Sequence, residues 1–103
     1  MAGTRSVVWS VRALDDLETA HGWFRERNPD YAARFLWEIE HSADSLAGSP
    51  ERGHVVPELK IPVVRQLVVE KHRLIYRLES TRIVIARLLH GRQDFKSSWK
   101  SRT

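Results

Sequence analysis

Apolar side chains recur at helical spacing through the first half of the chain. The first stripe comprises Leu14, Leu17, either Ala20 or His21, and Phe24. The second comprises Ala32, Phe35, Leu36, Ile39, Ala43 and Leu46. Ser10 lies where the first helix needs an N-cap, and Asn28 and Pro29 are residue types that cap and begin a second helix. Gly48 and Pro50 should end it. The pattern predicts two helices that pack as an antiparallel hairpin.

Shorter apolar runs with the spacing of β-strands flank this hairpin. Residues 5–9 are predicted to form one strand, and residues 63–69, 73–78 and 82–89 three more. Residues 49–62 carry prolines and a glycine and are predicted to be a loop. The order is therefore β-α-α-β-β-β, which indicates an α+β fold with the helical hairpin packed on one face of a small antiparallel sheet. The other face should stay partly open.

Strict alternation assigns side chains to the two faces of the predicted strands. In the last strand it groups Ile83, Ile85, Arg87 and Leu89 against Val84, Ala86, Leu88 and His90. In the strand before it, Arg73, Ile75 and Arg77 oppose Leu74, Tyr76 and Leu78. We therefore expect Tyr76 to be a core residue. We also expect Trp23 and Trp37 to pack within or beside the helical hairpin, and His41 to be exposed.

The length of 103 residues suits one domain, which we expect to span residues 1–103 with a frayed tail after about residue 94. The absence of cysteine excludes a disulfide framework and a thiolate zinc site. The histidines lack metal-ligand spacing and there is no glycine-rich phosphate loop, so we expect neither a metal nor a cofactor. No apolar stretch approaches the ~20 residues that span a bilayer. We therefore expect a cytoplasmic protein without a membrane partner.

Positive charge is concentrated in the second half of the chain. The whole sequence has 17 basic and 13 acidic residues, a formal net charge of +4. From Lys60 onward, however, the acidic residues are only Glu70, Glu79 and Asp94. The basic residues there are Lys60, Arg65, Lys71, Arg73, Arg77, Arg82, Arg87, Arg92, Lys96, Lys100 and Arg102. Such a field attracts nucleic acid or a strongly acidic protein, although it can also serve solubility alone.

Several segments, in this order, resemble the RelE/ParE superfamily of type II toxins. Residues 72–79, HRLIYRLE, are similar to the "YRIIYR" strand of many members, and residues 88–94, LLHGRQD, to their "HGRRD" ending. Residues 14–17, LDDL, match the superfamily's "A..DL" start of its first helix. The loop residues 50–53 and 56–59 are also similar. The resemblance extends over roughly residues 6–95.

This resemblance implies a toxin that a cognate antitoxin holds inactive and that stops growth when the antitoxin is degraded. RelE-like members cut mRNA in the ribosomal A site, whereas ParE-like members have the same fold and inhibit DNA gyrase. The expected partner is a short, acidic, partly disordered antitoxin that folds on binding, so that the toxin would be part of a hetero-oligomer.

The resemblance also supplies candidate site residues. If the protein is a metal-independent RNase, Arg73 would bind the scissile phosphate, His90 would transfer a proton, and Arg92 or Arg65 would give electrostatic support. Each residue could instead have no catalytic role: the arginines would be solvated, and the histidine would pack at a strand end. Other candidate binding residues are Arg65, Arg77 and Arg87, which would add positive surface, and Trp99, which could stack on a base.

Three departures weaken the RNase hypothesis. Gln93 stands where RelE-like enzymes have a second basic residue, and Trp99 where RelE has a catalytic tyrosine. The RelE lysine pair is missing, since that stretch is Val-Arg-Gln at residues 64–66. We therefore favour ParE-like inhibition of DNA gyrase. The alternative is a RelE-like ribosome-dependent mRNA interferase, and a third possibility is an inert relative kept for antitoxin binding or autoregulation.

Overall fold

Helices and strands account for most of residues 5–100, the part of the chain that the computed structural model describes. In chain order the elements are β1 Ser6–Trp9, α1 Val11–Arg27, α2 Pro29–Ser45, β2 His54–Val55, β3 Val64–Val69, β4 His72–Leu78, β5 Arg82–His90 and α3 Phe95–Lys100. Of the domain expected over residues 1–103, residues 1–4 and 101–103 lie outside this part. The tail beyond residue 94 contains the short helix α3.

Side-chain caps set where the two long helices begin. The Ser10 hydroxyl accepts a hydrogen bond from the Ala13 N–H at 3.0 Å, which caps α1. Asn28 ends α1 by donating its N–H to the Phe24 carbonyl, and its side chain accepts from the Tyr31 N–H to cap α2. Pro29 occupies the first turn of α2. The predicted starts are therefore confirmed, although α2 ends at Ser45, before the predicted glycine.

The sheet has the strand order β1-β5-β4-β3-β2. The α+β class, with a helical hairpin against one face of a sheet, is confirmed. The sheet is mixed rather than wholly antiparallel, because β1 runs parallel to β5. The helical hairpin of α1 and α2 follows β1 in the chain. It is long enough to form the crossover connection that the parallel pair of β1 and β5 needs. The predicted loop also contains β2, whose two residues are too few to show a strand pattern.

The larger hydrophobic core lies between the helical hairpin and the sheet. Its fully buried members include Phe35, Ile39, Leu74 and Tyr76, so the prediction of a core tyrosine is confirmed. On α1 the buried positions are Ala13 and Leu17, with Ala20 and Phe24 packed against them. Leu14 is 49% exposed, so the predicted stripe was wrong at its first position.

Neither helix tryptophan packs in this core. Trp23 and Trp37 are each 54% exposed, which contradicts the expectation that they pack within or beside the hairpin. The Arg27 guanidinium lies 3.9 Å from the Trp23 ring centroid, and His41 stacks on Trp37 at 3.7 Å. Both indoles are therefore covered by a polar neighbour on their own helix, one turn away. His41 is exposed, as predicted.

A second, smaller core covers part of the opposite face of the sheet. Its buried members are Val56, Val64, Ile75, Leu89 and Phe95, with Leu59 and Trp99 packed against them. The loop after β2 and the helix α3 supply the residues that lie above the strands. This face was expected to be partly open, and the second core leaves less of it exposed than the sequence suggested.

A β-bulge in β5 decides which side chains face the helical hairpin. Ile75 is paired with Arg87 but Tyr76 with Ile85, so Ala86 is an extra residue. The bulge reverses the alternation after Ile85. As a result Ile83, Ile85, Leu88 and His90 share the hairpin face, and Val84, Arg87 and Leu89 the other. Strict alternation was thus wrong in grouping Arg87 and Leu89 with Ile83 and Ile85.

The buried Tyr76 hydroxyl anchors the loop before β2. It accepts from the Gly53 N–H at 2.9 Å and donates to the Pro50 carbonyl at 2.9 Å. Gly53 has no room for a side chain, since a Cβ there would lie 2.5 Å from the Gln66 carbonyl oxygen and 2.7 Å from the tyrosine oxygen. Backbone and buried ring therefore meet at a position that only glycine fits.

We predict that Gly53→Ala lowers the free energy of unfolding by about 2–4 kcal/mol, because the methyl group must displace backbone. Gly48→Ala is the matched control, since a Cβ there has nothing within 4 Å. We expect that change to stay within about 0.5 kcal/mol of the wild type. Urea unfolding followed by circular dichroism measures both, and equal effects would contradict the packing argument.

Candidate functional site

Arg73 lies on the face of the sheet that α3 covers, and three of its N–H groups donate hydrogen bonds to neighbouring side chains. Its two terminal nitrogens donate to the two carboxylate oxygens of Glu58 at 2.7 and 3.0 Å. Its Nε donates to the Gln66 side-chain oxygen at 2.8 Å. The guanidinium also lies 4.7 Å from the Phe95 ring centroid. Only 13% of the side chain is exposed, and its hydrogen bonds hold the pKa of Glu58 below its usual value.

His90 lies on the hairpin face, at the end of β5. Its backbone N–H donates to the Gln93 side-chain oxygen, and its Nδ1 accepts from the Arg92 N–H at 3.0 Å. A nitrogen that accepts from a backbone amide carries no proton, so the neutral ring is protonated at Nε2. The imidazole therefore organises the turn after β5. The Arg92 side chain is exposed at this turn.

The structure does not bring the candidate RNase residues into one site. Arg73 is the cross-strand partner of Leu89, one position before His90. Neighbouring strand residues point to opposite faces, so the guanidinium and the imidazole are on opposite sides of the sheet. Arg92 follows in the turn. A phosphate bound by Arg73 in this arrangement would not meet His90.

Arg87 is an internal link rather than free positive surface. Its Nε and one terminal nitrogen donate to the two oxygens of Asp16 at 2.7 and 3.0 Å, and the other donates to the Ser98 carbonyl at 2.6 Å. The side chains of the pair are only 11% and 16% exposed. Asp16 also accepts from the Leu88 N–H at 2.9 Å, beyond the point where β1 stops pairing with β5. Asp16 thus ties α1 to β5 and, through Arg87, to α3.

The other candidate arginines are divided between the two faces. Arg65 is opposite Tyr76 and so faces the hairpin side, where one terminal nitrogen donates to the Gly53 carbonyl at 3.0 Å. Its Nε is buried without a hydrogen-bond partner. Arg77 faces the other way, is 47% exposed and pairs with Glu79 at 2.7 Å, which also binds Arg82. Arg65 and Arg77 therefore do not form one positive patch.

Trp99 is a packing residue of the second core. Its ring stacks on Phe95 with centroids 5.5 Å apart and an interplanar angle of 15°. It is partly buried beside that cluster, and its carbonyl accepts a long hydrogen bond of 3.5 Å from Arg12. One indole face is therefore already covered by the protein's own aromatic ring.

A cavity on the hairpin face was not predicted from the sequence. It measures about 810 Å³, and its walls include Trp23, Phe24, Tyr31, His72, Leu88 and His90. The turn between β3 and β4 closes one end, and its two residues, Glu70 and Lys71, both have positive φ, at 50° and 65°. No local sequence pattern predicts this cavity, because its walls come from both helices of the hairpin and from strands that are distant in sequence.

Two polar side chains, the partly buried Tyr31 and the buried His72, line this cavity. The Tyr31 hydroxyl donates to Glu70 at 2.7 Å, and burial together with that bond raises the pKa of Tyr31 to about 12. His72 is 5% exposed, and its Nδ1 lies 3.0 Å from the Glu70 carbonyl. Burial lowers the pKa of His72 and outweighs the hydrogen bond to the Glu70 carbonyl, which raises it. His72 is therefore held as the neutral ring.

Known structures share this fold. The chromosomal ParDE toxin–antitoxin system from P. aeruginosa superposes with a TM-score of 0.71 at 22% identity, covering 86% of this chain and 98% of that one. The RelBE2 toxin–antitoxin complex from Mycobacterium tuberculosis gives 0.59 at 22% identity, covering 87% and 94%. At this identity the likeness defines the class of fold: a helical hairpin on a small mixed sheet.

Sequence comparison gives the family. The family model described as "ParE toxin of type II toxin-antitoxin system, parDE" matches residues 7–95. Toxin RelE1 of Caulobacter vibrioides is 35% identical over 92 residues, which is 85% of this chain and 95% of that protein. Toxin RelE2 of the same organism is 35% identical over 86 residues, covering 82% and 93%. The chain belongs to the ParE toxin family of type II toxin–antitoxin systems, which confirms the superfamily predicted from the sequence.

Among residues 5–100 no helix has the length and hydropathy needed to cross a bilayer. Within the same residues, no three or more histidine, aspartate or glutamate side chains group where they could hold a metal ion.

We predict that Asp16→Ala lowers the free energy of unfolding by about 2–4 kcal/mol, since it leaves the Leu88 N–H and a mostly buried Arg87 without their acceptor. The neighbouring Asp15 is exposed, so Asp15→Ala should change stability by less than about 0.5 kcal/mol. Urea unfolding of both variants tests this. A loss in the Asp15 variant as large as in the Asp16 variant would show that the link is unimportant.

We predict that acid weakens the fold through His72. Its folded pKa is below the ordinary value of 6.5, so the unfolded chain takes up a proton first as the pH falls. Stability should therefore decline below about pH 6.5 and level off only below the folded pKa. Urea unfolding at pH 8 to pH 5 measures the slope. His72→Phe should flatten it and His41→Gln should not, whereas an unchanged slope in His72→Phe would exclude this residue as the cause.

Proposed function

We propose that this toxin stops growth by binding a protein target in the cytoplasm, DNA gyrase, rather than by cutting mRNA. The observation that carries the proposal is the position of Arg73 and His90 on opposite faces of the sheet. Cleavage without a metal needs a proton acceptor, a proton donor and charge stabilisation around one phosphate. Their separation by the sheet supports the proposal that they do not share that task.

The remaining candidates do not complete an RNase site. Arg87 is bound to Asp16, Arg65 points to the hairpin face, and Trp99 is stacked in the second core. Gln93, at the position of a second basic residue in RelE-like enzymes, is used to accept the His90 N–H. A binding inhibitor needs none of these groups to converge, because complementary surface is sufficient.

We further propose that a cognate antitoxin neutralises the toxin in a hetero-oligomer. The structural neighbours are themselves toxin–antitoxin systems. The outer side of the hairpin offers an apolar strip to such a partner: Val11 is 75% exposed, Leu14 is 49% exposed, and Leu36 lies beside a cavity of about 460 Å³. An amphipathic helix of a partly disordered antitoxin is the kind of segment that covers a strip like this.

One observation favours the alternative, a ribosome-dependent mRNA interferase. The paired contacts of Arg73 with Glu58 have the geometry with which arginine also binds phosphate. On the ribosome, proton transfer would then have to come from groups other than His90.

The deciding experiment is to induce the toxin alone in a bacterial host and map mRNA ends by primer extension, while assaying purified gyrase for supercoiling. We expect growth arrest, inhibited supercoiling and unchanged mRNA. New ends at codon positions within translated regions, lost with Arg73→Ala, would overturn the proposal in favour of the interferase. Normal growth at strong expression would instead indicate an inert relative.

A further inference from the structure

Arg73 is the centre of a site built for an oxyanion. Three of its N–H groups donate to side-chain oxygens, two of them to one carboxylate in the parallel, paired arrangement. Gln66 and the Phe95 ring fix the plane of the guanidinium. A fork held in place from two sides loses little freedom when it binds, so it is preorganised for an anion.

The same fork fits a phosphodiester. The two carboxylate oxygens of Glu58 occupy the positions that two non-bridging phosphate oxygens would take, since arginine binds both groups in the same paired way. Arg77, two residues along β4 on the same face, shares the Glu79 carboxylate with Arg82, so these three side chains together keep a net positive charge. Lys96 follows Phe95 at the start of α3 and is exposed. The surroundings thus favour a polyanion.

We propose that Glu58 is a specificity-determining residue, whose carboxylate fills the Arg73 clamp and keeps this face of the sheet from binding an RNA phosphodiester. The inference deepens the proposed function and rests on it, because it explains how a fold that carries this arginine acts as a protein-binding inhibitor. The internal carboxylate is always present at its partner, whereas RNA has to compete from solution.

The backbone of Glu58 belongs to a loop, while its carboxylate is bound by Arg73 of β4. Glu58 lies in the connection between β2 and β3, and its side chain is 32% exposed. The connection is closed by hydrogen bonds from Val56 to Val64 and from Lys60 to Val56, and Lys60 has a φ of 55°. None of these backbone contacts uses the Glu58 side chain, so Glu58→Gln removes the charge of the pair with Arg73 and leaves the backbone closure of the loop intact.

The test is the affinity for a fluorescein-labelled single-stranded RNA oligonucleotide, measured by fluorescence anisotropy at several salt concentrations. Glu58→Gln should bind about tenfold more tightly than the wild type, with a salt dependence steeper by about 0.7 for one added phosphate contact. Arg73→Gln combined with Glu58→Gln should lose the gain. Glu26→Gln is the matched control, because it removes the same charge from an exposed pair with Arg27.

A gain in Glu58→Gln no larger than in Glu26→Gln, or one that persists in the double variant, would overturn the proposal. So would tighter binding of poly-L-glutamate without tighter binding of RNA, which would make the clamp a site for an acidic protein segment.

If Glu58→Gln does not fold, the Arg73 Nε–H resonance of the wild type gives the answer. It should stay fixed on adding RNA, and a shift would show that Glu58 does not bar the site. Neither gyrase nor a ribosome is present, so failure of the proposed function in cells leaves these results unaffected.

Discussion

The bulge at Ala86 and the serine that holds it determine how the two faces of the sheet are used. The Ser10 hydroxyl caps α1 by accepting from Ala13 and donates its own hydrogen to the carbonyl of the bulged Ala86 at 3.0 Å. One side chain therefore fixes both the start of the first helix and the irregular point of the longest strand. Because the extra residue shifts the alternation, Leu88 packs under the hairpin while Leu89 reaches the second core.

The sequence predicted the elements well because their signals are local. Ser10, Asn28 and Pro29 mark helix starts by their own chemistry, and the turn at residues 79–81 follows an alternating strand. The core position of Tyr76 followed from the same alternation. The resemblance added the family, which no count of charges or apolar residues could supply.

What could not be predicted depends on contacts between distant residues. A single extra residue in β5 is invisible to a pattern of period two, so Arg87 was grouped with Ile83 and Ile85 although it lies on the opposite face from them. Arg87 was also expected to add positive surface, but it pairs with Asp16, 71 positions away, and so links two elements inside the fold. Trp23 and Trp37 lie on the two predicted helices and are large apolar residues. Each is nevertheless covered by a partner on its own helix and stays at the surface. The cavity beside His72 has walls from four elements, and local reasoning has no access to such a site.

The excess of basic residues overstated the positive surface for the same reason. In the second half of the chain, Arg73 is matched by Glu58 and Arg87 by Asp16, two acids that come earlier in the sequence. Charge that is neutralised within the fold contributes little to the field that a distant partner meets. The distribution of charge along a chain is thus a weak guide to its distribution in space, where paired groups cancel.

The two faces of the sheet carry separate hydrophobic clusters of unequal size. The helical hairpin buries the larger cluster and holds most of the apolar side chains, whereas the opposite side is covered only by one loop and a six-residue helix. Most of the apolar packing therefore lies on the hairpin side, and a substitution on the thinly covered side disturbs fewer packed elements than one beneath the hairpin.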